Sequence, residues 1–280
     1  MVSVREKIFI IAVLSCFYLI ETARQYQPYT FLHGDGAFYA QINRGLFKSF
    51  TLRQEEFQPV SWYEAKLGWN RNLSDSWSNV AAGRDNEWYP KHAFLMPLFS
   101  TPFYAVFGSA GLLIFNVFAL ITGLYFAYII TRRFFEPLPS FTAIMLTAVS
   151  PIFTRGAYSY SNDIFYAALL AIFLHFFLCR RMLLSGLFAG FALWAKPTNI
   201  VFAAPAAIFF SIALKPSFRE LSKFALSAFI PIALFLASNL VMFGSPLTTS
   251  YDRILVVING VQETVSYLDF FNLPFYDGLV

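Results

Sequence analysis

SAGLLIFNVFALITGLYFAYII, residues 109–130, runs for 22 positions without a charge and ends at Thr131-Arg132-Arg133. As a helix it rises about 33 Å, enough for a hydrocarbon core of about 30 Å, and the basic pair closes it as at a cytoplasmic boundary. Outward from this stretch the chain repeats the pattern. Further apolar segments lie at about Ile8 to Thr22, Ala93 to Phe107, Leu138 to Phe153, Asn162 to Cys179, Met182 to Ala195, Pro197 to Leu214 and Ser222 to Phe243. Of 280 residues 58% are hydrophobic before the 14 glycines are counted, 20% are aromatic with 35 phenylalanines, and only 13% are charged. Soluble domains hold about 45–50% apolar residues with glycine included and about a quarter charged, so a water-soluble globule, a disordered chain and a disulfide scaffold are all excluded. The expected fold is an all-α polytopic membrane protein. Cys16 and Cys179 sit in apolar runs and read as small hydrophobes, not ligands.

The net charge of +4 does not indicate nucleic-acid binding, because it is not gathered on one soluble face. Eight Lys/Arg balance eight Asp/Glu between Glu21 and His92, and the surplus punctuates the apolar runs. It falls at Arg5 and Lys7, Arg132 and Arg133, Arg180 and Arg181, then Lys215, Arg219 and Lys223. The segment Ala93 to Phe107 is short and broken by Pro97 and Pro102, so it reads as an interfacial helix. Seven spans with a cytoplasmic N-terminus then place all four basic clusters inside, where Lys and Arg belong. A crossing at Ala93 to Phe107 would turn three of those clusters outward. The resulting organisation is a single transmembrane domain over 1–280: a first span at 8–22, an outer loop at 23–108 with amphipathic and interfacial helices, spans two to seven within 109–243, and an outer tail at 244–280. The first run could instead be a cleaved signal peptide, but the small-residue cleavage site is poor.

Under this topology the chemistry-bearing residues share the non-cytoplasmic side. Asp35, in His33-Gly34-Asp35-Gly36-Ala37-Phe38-Tyr39, precedes an amphipathic stretch with Phe38, Ile42, Leu46 and Phe50 on one face. It is placed as a helix N-cap, where the helix dipole favours the ionised carboxylate, suited to a base or a metal ligand. Capping alone would also account for it. Asp163 stands at the start of a span, as a cap or as a functional carboxylate. Lys196, between Trp194 and Pro197, follows a 14-residue run that rises only about 21 Å, so it lies below the outer surface and needs an anionic partner or water. Lys91 and His92 lead into the interfacial helix, where snorkelling is the ordinary explanation. His175, deep in a span, reads as a packing residue. Trp62, Trp69, Trp77 and Trp88 fit an interfacial belt or sugar stacking, and Asn72-Leu73-Ser74 is a formal glycosylation sequon. No Walker loop, zinc spacing or Gly-x-Ser-x-Gly elbow occurs.

Several motifs in order resemble the GT-C superfamily: Asp35-Gly36-Ala37-Phe38-Tyr39 after the first span; Trp88-Tyr89-Pro90-Lys91-His92 before the proline-broken helix; Gly186 to Pro197, reading GLFAGFALWAKP; and Phe243-Gly244-Ser245-Pro246-Leu247 with Tyr251. The closest group is similar to bacterial relatives of the protein O-mannosyltransferases and aminoarabinose transferases. The resemblance implies a multi-pass protein of the bacterial inner membrane that moves a sugar from a polyprenyl-phosphate donor to a glycan, lipid or protein acceptor. It implies Asp35 and Asp163 as catalytic carboxylates and a divalent ion, Mg or Mn, at Asp35. It implies Tyr39, Lys91, His92, Arg155 and Lys196 as substrate-binding residues, with the cations neutralising the lipid phosphate. Here one acid is followed by Gly36, where eukaryotic mannosyltransferases have an acidic pair. Relatives usually continue through further spans beyond the equivalent of Val280, so the chain is expected to be a fragment, a frameshifted remnant without activity that serves as a membrane subunit, or a short form needing a partner. A transporter or flippase for lipid-linked sugar is the alternative from another class. That function wants paired charges near mid-membrane and two similar halves, neither of which the sequence shows.

Overall fold

The computed structural model describes residues 2–27, 29–32, 35–54, 77–197, 200–258 and 261–266. Trp62, Trp69 and the Asn72-Leu73-Ser74 sequon lie outside the described residues. The chain is predominantly helical and divides into two compact units, one of Met1–Gly36 with Pro102–Ala233, the other of Ala37–Thr101 with Leu234–Val280.

The first unit opens with α1 (Val4–Gln25), whose cap Ser3 accepts a hydrogen bond from the Glu6 amide at 3.2 Å. Its other helices are α4 (Ser109–Thr131), α5 (Pro137–Ala148), α6 (Pro151–Ala157), α7 (Asn162–Leu178), α8 (Met182–Ala195) and α9 (Ile200–Leu214). The long α10 (Phe218–Phe243) begins here. Helix α4 starts after Gly108, whose φ of 59° is open to glycine at no steric cost. Prolines at the first position start α5 and α6, where the missing amide is not needed. This corrects the single segment expected at Leu138 to Phe153. Ser150-Pro151 breaks it into two helices bent by 64°.

Helix α4 packs on α7, and α7 on α8. Phe173, Phe177, Met182 and Ala189 form a buried cluster that Leu214 of α9 and Phe224 of α10 complete. Gly186 and Gly190 are what let α8 approach α10 closely. A Cβ added at either would stand within about 2.5 Å of the Phe224 or Ala228 carbonyl oxygen, so only glycine fits this small-xxx-small face. The opposite faces are apolar and outward. Ile114, Phe118, Leu146, Ile208 and Phe209 are all exposed, an arrangement stable in lipid and not in water. By length and composition α4 and α10 are each able to cross a bilayer, and the bent α5–α6 pair adds a third, with α3 (Leu95–Phe107), α7 and α8 shorter and apolar.

The second unit contains α2 (Asp35–Ser49) from Ala37 onward, α3 (Leu95–Phe107) to Thr101, the end of α10, and a four-stranded antiparallel sheet. Its strands are β1 (Trp77–Ala82), β2 (Trp88–Pro90), β3 (Ile254–Ile258) and β4 (Val261–Val265), in the order β2-β1-β3-β4. Val80 faces Pro90, Ala81 faces Ile254, and the register slips between Trp77 and Ala81. The sheet is an addition to the helices expected in the outer segment. Buried Asn43 of α2 donates to the Pro97 carbonyl at 2.8 Å and to Ser100 Oγ and Thr101 Oγ1 at 3.0 Å, tying α2 to the proline-broken start of α3.

Candidate active site

The site in the first unit is built where α7 starts and α8 stops. Ser161 caps α7, accepting from the Asp163 amide at 3.2 Å, which leaves the Asp163 side chain in the first helical turn and not in the cap. Asp163 Oδ1 accepts a hydrogen bond from Lys196 Nζ at 2.7 Å. Lys196 is the C-cap of α8, in extended backbone that turns its side chain away from the helix. Next to this pair, Asn162 Nδ2 donates to the Ala195 carbonyl at 2.7 Å. Consecutive residues 162 and 163 thus hold consecutive residues 195 and 196, fixing one helix end on the other. The anionic partner that the position of Lys196 demanded is Asp163. Both remain in reach of solvent, with side-chain exposures of 44% for Lys196 and 71% for Asp163. An anion approaching Lys196 also meets the positive end of the α7 dipole.

The turn before α7 is held from two sides. Asn116 of α4 donates to the Gly156 and Ala157 carbonyls at 2.8 and 3.2 Å, and its Oδ1 accepts from the Ser161 amide at 3.3 Å. One buried amide thereby ends α6 and starts α7. On the other side the Tyr160 amide donates to the Phe31 carbonyl at 3.1 Å, while the Tyr158 hydroxyl meets Thr30 Oγ1 at 2.6 Å and the Gln27 amide at 2.7 Å. This brings the chain leading to α2 against the Asp163 turn. A Cβ on Gly36 would lie 3.0 Å from the Tyr160 carbonyl oxygen and 3.6 Å from its Cβ. The close approach leaves little room for a side chain at position 36. Asp35 is exposed and is the first residue of α2, one place inside the N-cap expected for it. Its carboxylate still gains from the helix dipole. Arg155, in the last turn of α6, is exposed with no ion-pair partner among the described residues.

Three other expected residues belong to the second unit. The buried His92 ring stacks on Phe38 at 5.7 Å and an interplanar angle of 17°, and meets Tyr39 at 5.4 Å and Tyr251 at 6.3 Å. Lys91 is half-buried, and its carbonyl accepts from Ser250 Oγ at 2.6 Å. His92 is therefore held in an aromatic box instead of snorkelling at an interface. His175, as expected, packs, with its ring against Phe126 and Phe176.

Sequence reading missed Asn116, Asn162, Ser161 and Gly36 as positioning residues. Polar amides inside otherwise apolar helices were the signal that could have found Asn116 and Asn162. Among the described residues no group of three or more His, Cys, Asp or Glu side chains could cage a metal ion. Asp35 could hold Mg²⁺ or Mn²⁺ only with oxygens supplied by a phosphate-bearing substrate, the way magnesium is held by one or two carboxylates.

Lys196, an exposed cation braced by Asp163, can bind a phosphate, and the exposed carboxylate of Asp35, whose neighbour Gly36 packs on the turn leading into Asp163, can accept a proton. No curated protein and no solved structure matches this chain. A family profile described as dolichyl-phosphate-mannose-protein mannosyltransferase matches residues 91–243, which include Lys91, His92, Arg155, Asp163 and Lys196. With more than half of its length matched, and with the apolar helices that the family's membrane enzymes require, the chain belongs to the dolichyl-phosphate-mannose-protein mannosyltransferase family, GT-C glycosyltransferases of the membrane.

Proposed function

We propose that the protein transfers a sugar from a polyprenyl-phosphate donor to a hydroxyl-bearing acceptor on the non-cytoplasmic face of the bacterial inner membrane, with the N-terminus in the cytoplasm. The observation that supports this most is the Asp163–Lys196 pair at the open start of α7, next to the turn against which Gly36 packs. In the proposed reaction the acceptor oxygen forms a bond to the anomeric carbon as the bond from that carbon to the phosphate oxygen breaks. The acceptor proton passes to Asp35. The electron pair of the broken bond stays on the polyprenyl phosphate, and Lys196 balances the charge that grows there, with Arg155 as a second cation. Preorganised positive charge of this kind lowers the barrier because it is in place before the charge develops. Asp163 keeps Lys196 extended toward the donor. Lys91, Tyr39 and His92 take part in substrate binding. A divalent ion at Asp35 would supply further charge to the donor phosphate.

The test is mass spectrometry of the polyprenyl-phosphate-sugar pool in cells lacking the gene, complemented with wild type or Asp35→Asn. One glycolipid should accumulate in the deletion, fall with wild type and stay high with the variant. A pool that never changes refutes the transferase reading for this chain. Sidedness is tested separately with Lys196→Cys, which should react with a membrane-impermeant maleimide added from the outside of intact cells.

A further inference from the structure

Two turns of the first unit, one between α7 and α8 and one between α9 and α10, carry a basic surface that the reaction above does not use. Helix α7 ends in a Schellman arrangement: the Arg180 amide donates to the Phe177 carbonyl and the Arg181 amide to the Phe176 carbonyl, both at 2.9 Å. The left-handed residue of this turn is Arg180, with φ of 56°, and that of the turn after α9 is Lys215, with φ of 45°. Glycine takes this backbone at no steric cost, so helix termination alone does not select a cation at both places. Arg180 has a structural use. Its guanidinium donates to the Leu214 carbonyl at 2.5 Å and to the Glu220 carboxylate at 3.3 and 3.4 Å, which locks the two turns together.

Glu220 is the only acidic residue between Asp163 and Asp252, and it is already engaged. Besides Arg180 it accepts from the Ser217 amide at 2.8 Å and hydroxyl at 3.0 Å, in a capping box that starts α10. Arg181, Lys215, Arg219 and Lys223 are all exposed and have no ion-pair partner among the described residues. The turns and their flanks, 173–197 and 212–233, are described throughout and hold no other acid. The negative end of α9 attracts a cation at Lys215, but Arg219 stands in the first turn of α10, where the dipole disfavours positive charge. Membrane sidedness requires cations on one side and does not require them to gather on two locked turns.

Arg219, Lys223, Leu226 and Ile230 follow at four-, three- and four-residue spacing and so share one stripe of α10. Leu226 is 70% and Ile230 56% exposed, and Phe218, beside Arg219, is 86% exposed. The stripe is cationic at the membrane boundary and apolar over the next two turns, the order in which a phospholipid presents its phosphate and its acyl chain. A soluble anion would use the cations and leave the apolar half unexplained. We propose that these locked turns and the adjoining stripe of α10 bind the headgroup and an acyl chain of an anionic phospholipid of the surrounding membrane. The site rests on the chain's place in a membrane and not on the transferase reading, and its test involves no turnover.

The full chain, purified in detergent, is titrated with phosphatidylglycerol or phosphatidylcholine at several ammonium acetate concentrations, and bound lipid is counted by native mass spectrometry. Wild type should prefer phosphatidylglycerol, with an affinity that falls as salt is raised. The triple variant Lys215→Gln, Arg219→Gln, Lys223→Gln should weaken this binding about a hundred-fold, at about five-fold per cation, and remove most of its salt dependence. Phe218→Ser should weaken binding while keeping the salt dependence. Arg5→Gln with Lys7→Gln, which removes charge from another basic cluster, should bind as wild type does. Circular dichroism reports whether each variant is folded; where the triple variant is not, Lys215→Gln alone decides, with a loss of about five-fold expected. Equal retention of the two lipids by wild type overturns the proposal, as does a folded triple or Lys215→Gln variant that binds as wild type does. A loss in the Arg5–Lys7 variant equal to that in the triple variant overturns it too, since binding would then follow total charge. Displacement of the lipid by equimolar inorganic phosphate overturns it by assigning the cations to a soluble anion.

Discussion

Replacing Lys196 by Met should separate the catalytic use of the Asp163–Lys196 pair from any structural use. The pair is short, at 2.7 Å, but Asp163 is 71% and Lys196 44% exposed, so solvent screens most of its Coulomb energy. Exposed pairs of this kind contribute about 0.2–1 kcal/mol, and the high exposure of the carboxylate puts this one toward the lower end. For a chain of this size that corresponds to a melting shift of no more than about 2–4 °C. The effect on transfer should be of another order. A preorganised group that stabilises charge in the transition state is worth about 2.7–4 kcal/mol, or a rate loss of about 10²–10³. The assay is turnover of a labelled polyprenyl-phosphate sugar by the purified chain in lipid nanodiscs, with melting followed in parallel. Lys196→Met should lower kcat and kcat/KM together, Lys196→Arg should recover part of the rate, and Asp163→Asn should fall between them because an amide oxygen still accepts from the lysine. A Lys196→Met protein that melts far below wild type but turns over within threefold of it would refute the reasoning, since the pair would then be a structural clasp.

Gly36→Ala adds a Cβ 3.0 Å from the Tyr160 carbonyl; a gain in helix propensity of up to about 1 kcal/mol offsets part of the strain, so melting should change little while transfer falls at least tenfold as Asp35 is displaced. Asn116→Ala should cost roughly 2–4 kcal/mol, because the Ala157 carbonyl and the Ser161 amide lose the partner that Asn116 provides while the Gly156 carbonyl keeps its bond from Ser159 Oγ; a denaturant or thermal titration against wild type checks it. Glu6 accepts from Tyr128 and then Arg132, and these bonds hold its carboxyl below the ordinary 4.5. Its folded value is the lower one, so the stabilisation is present above the unfolded value and lost as pH falls through the folded one. The melting difference between wild type and Glu6→Gln should therefore be largest near neutrality and shrink below about pH 4.5; a difference that grows on acidification contradicts the assignment.

What the sequence determined by itself was the solvent and most helix limits. An uncharged run closed by a basic pair can only be satisfied as a helix in lipid, and 109–131 and 182–195 stand where hydropathy and charge put them. The ordered motifs also carried the family, since Asp35, Asp163 and Lys196 could be named one at a time from residue type and boundary position. What only the tertiary structure decided was which of them meet. Asp163 and Lys196 are 33 positions apart, and their pairing depends on Asn162 gripping Ala195 and on Asn116 fixing the turn, neither of which has a local signature. The sheet was hidden for the same reason: β1 is short, its β3 partner begins at Ile254, and a strand whose partner lies so far along the chain has little alternation of its own to display. Local free energy sets helix limits, because each helix satisfies its own backbone hydrogen bonds. A pair or a sheet is stabilised only when distant segments arrive together, and that information resides in the packing.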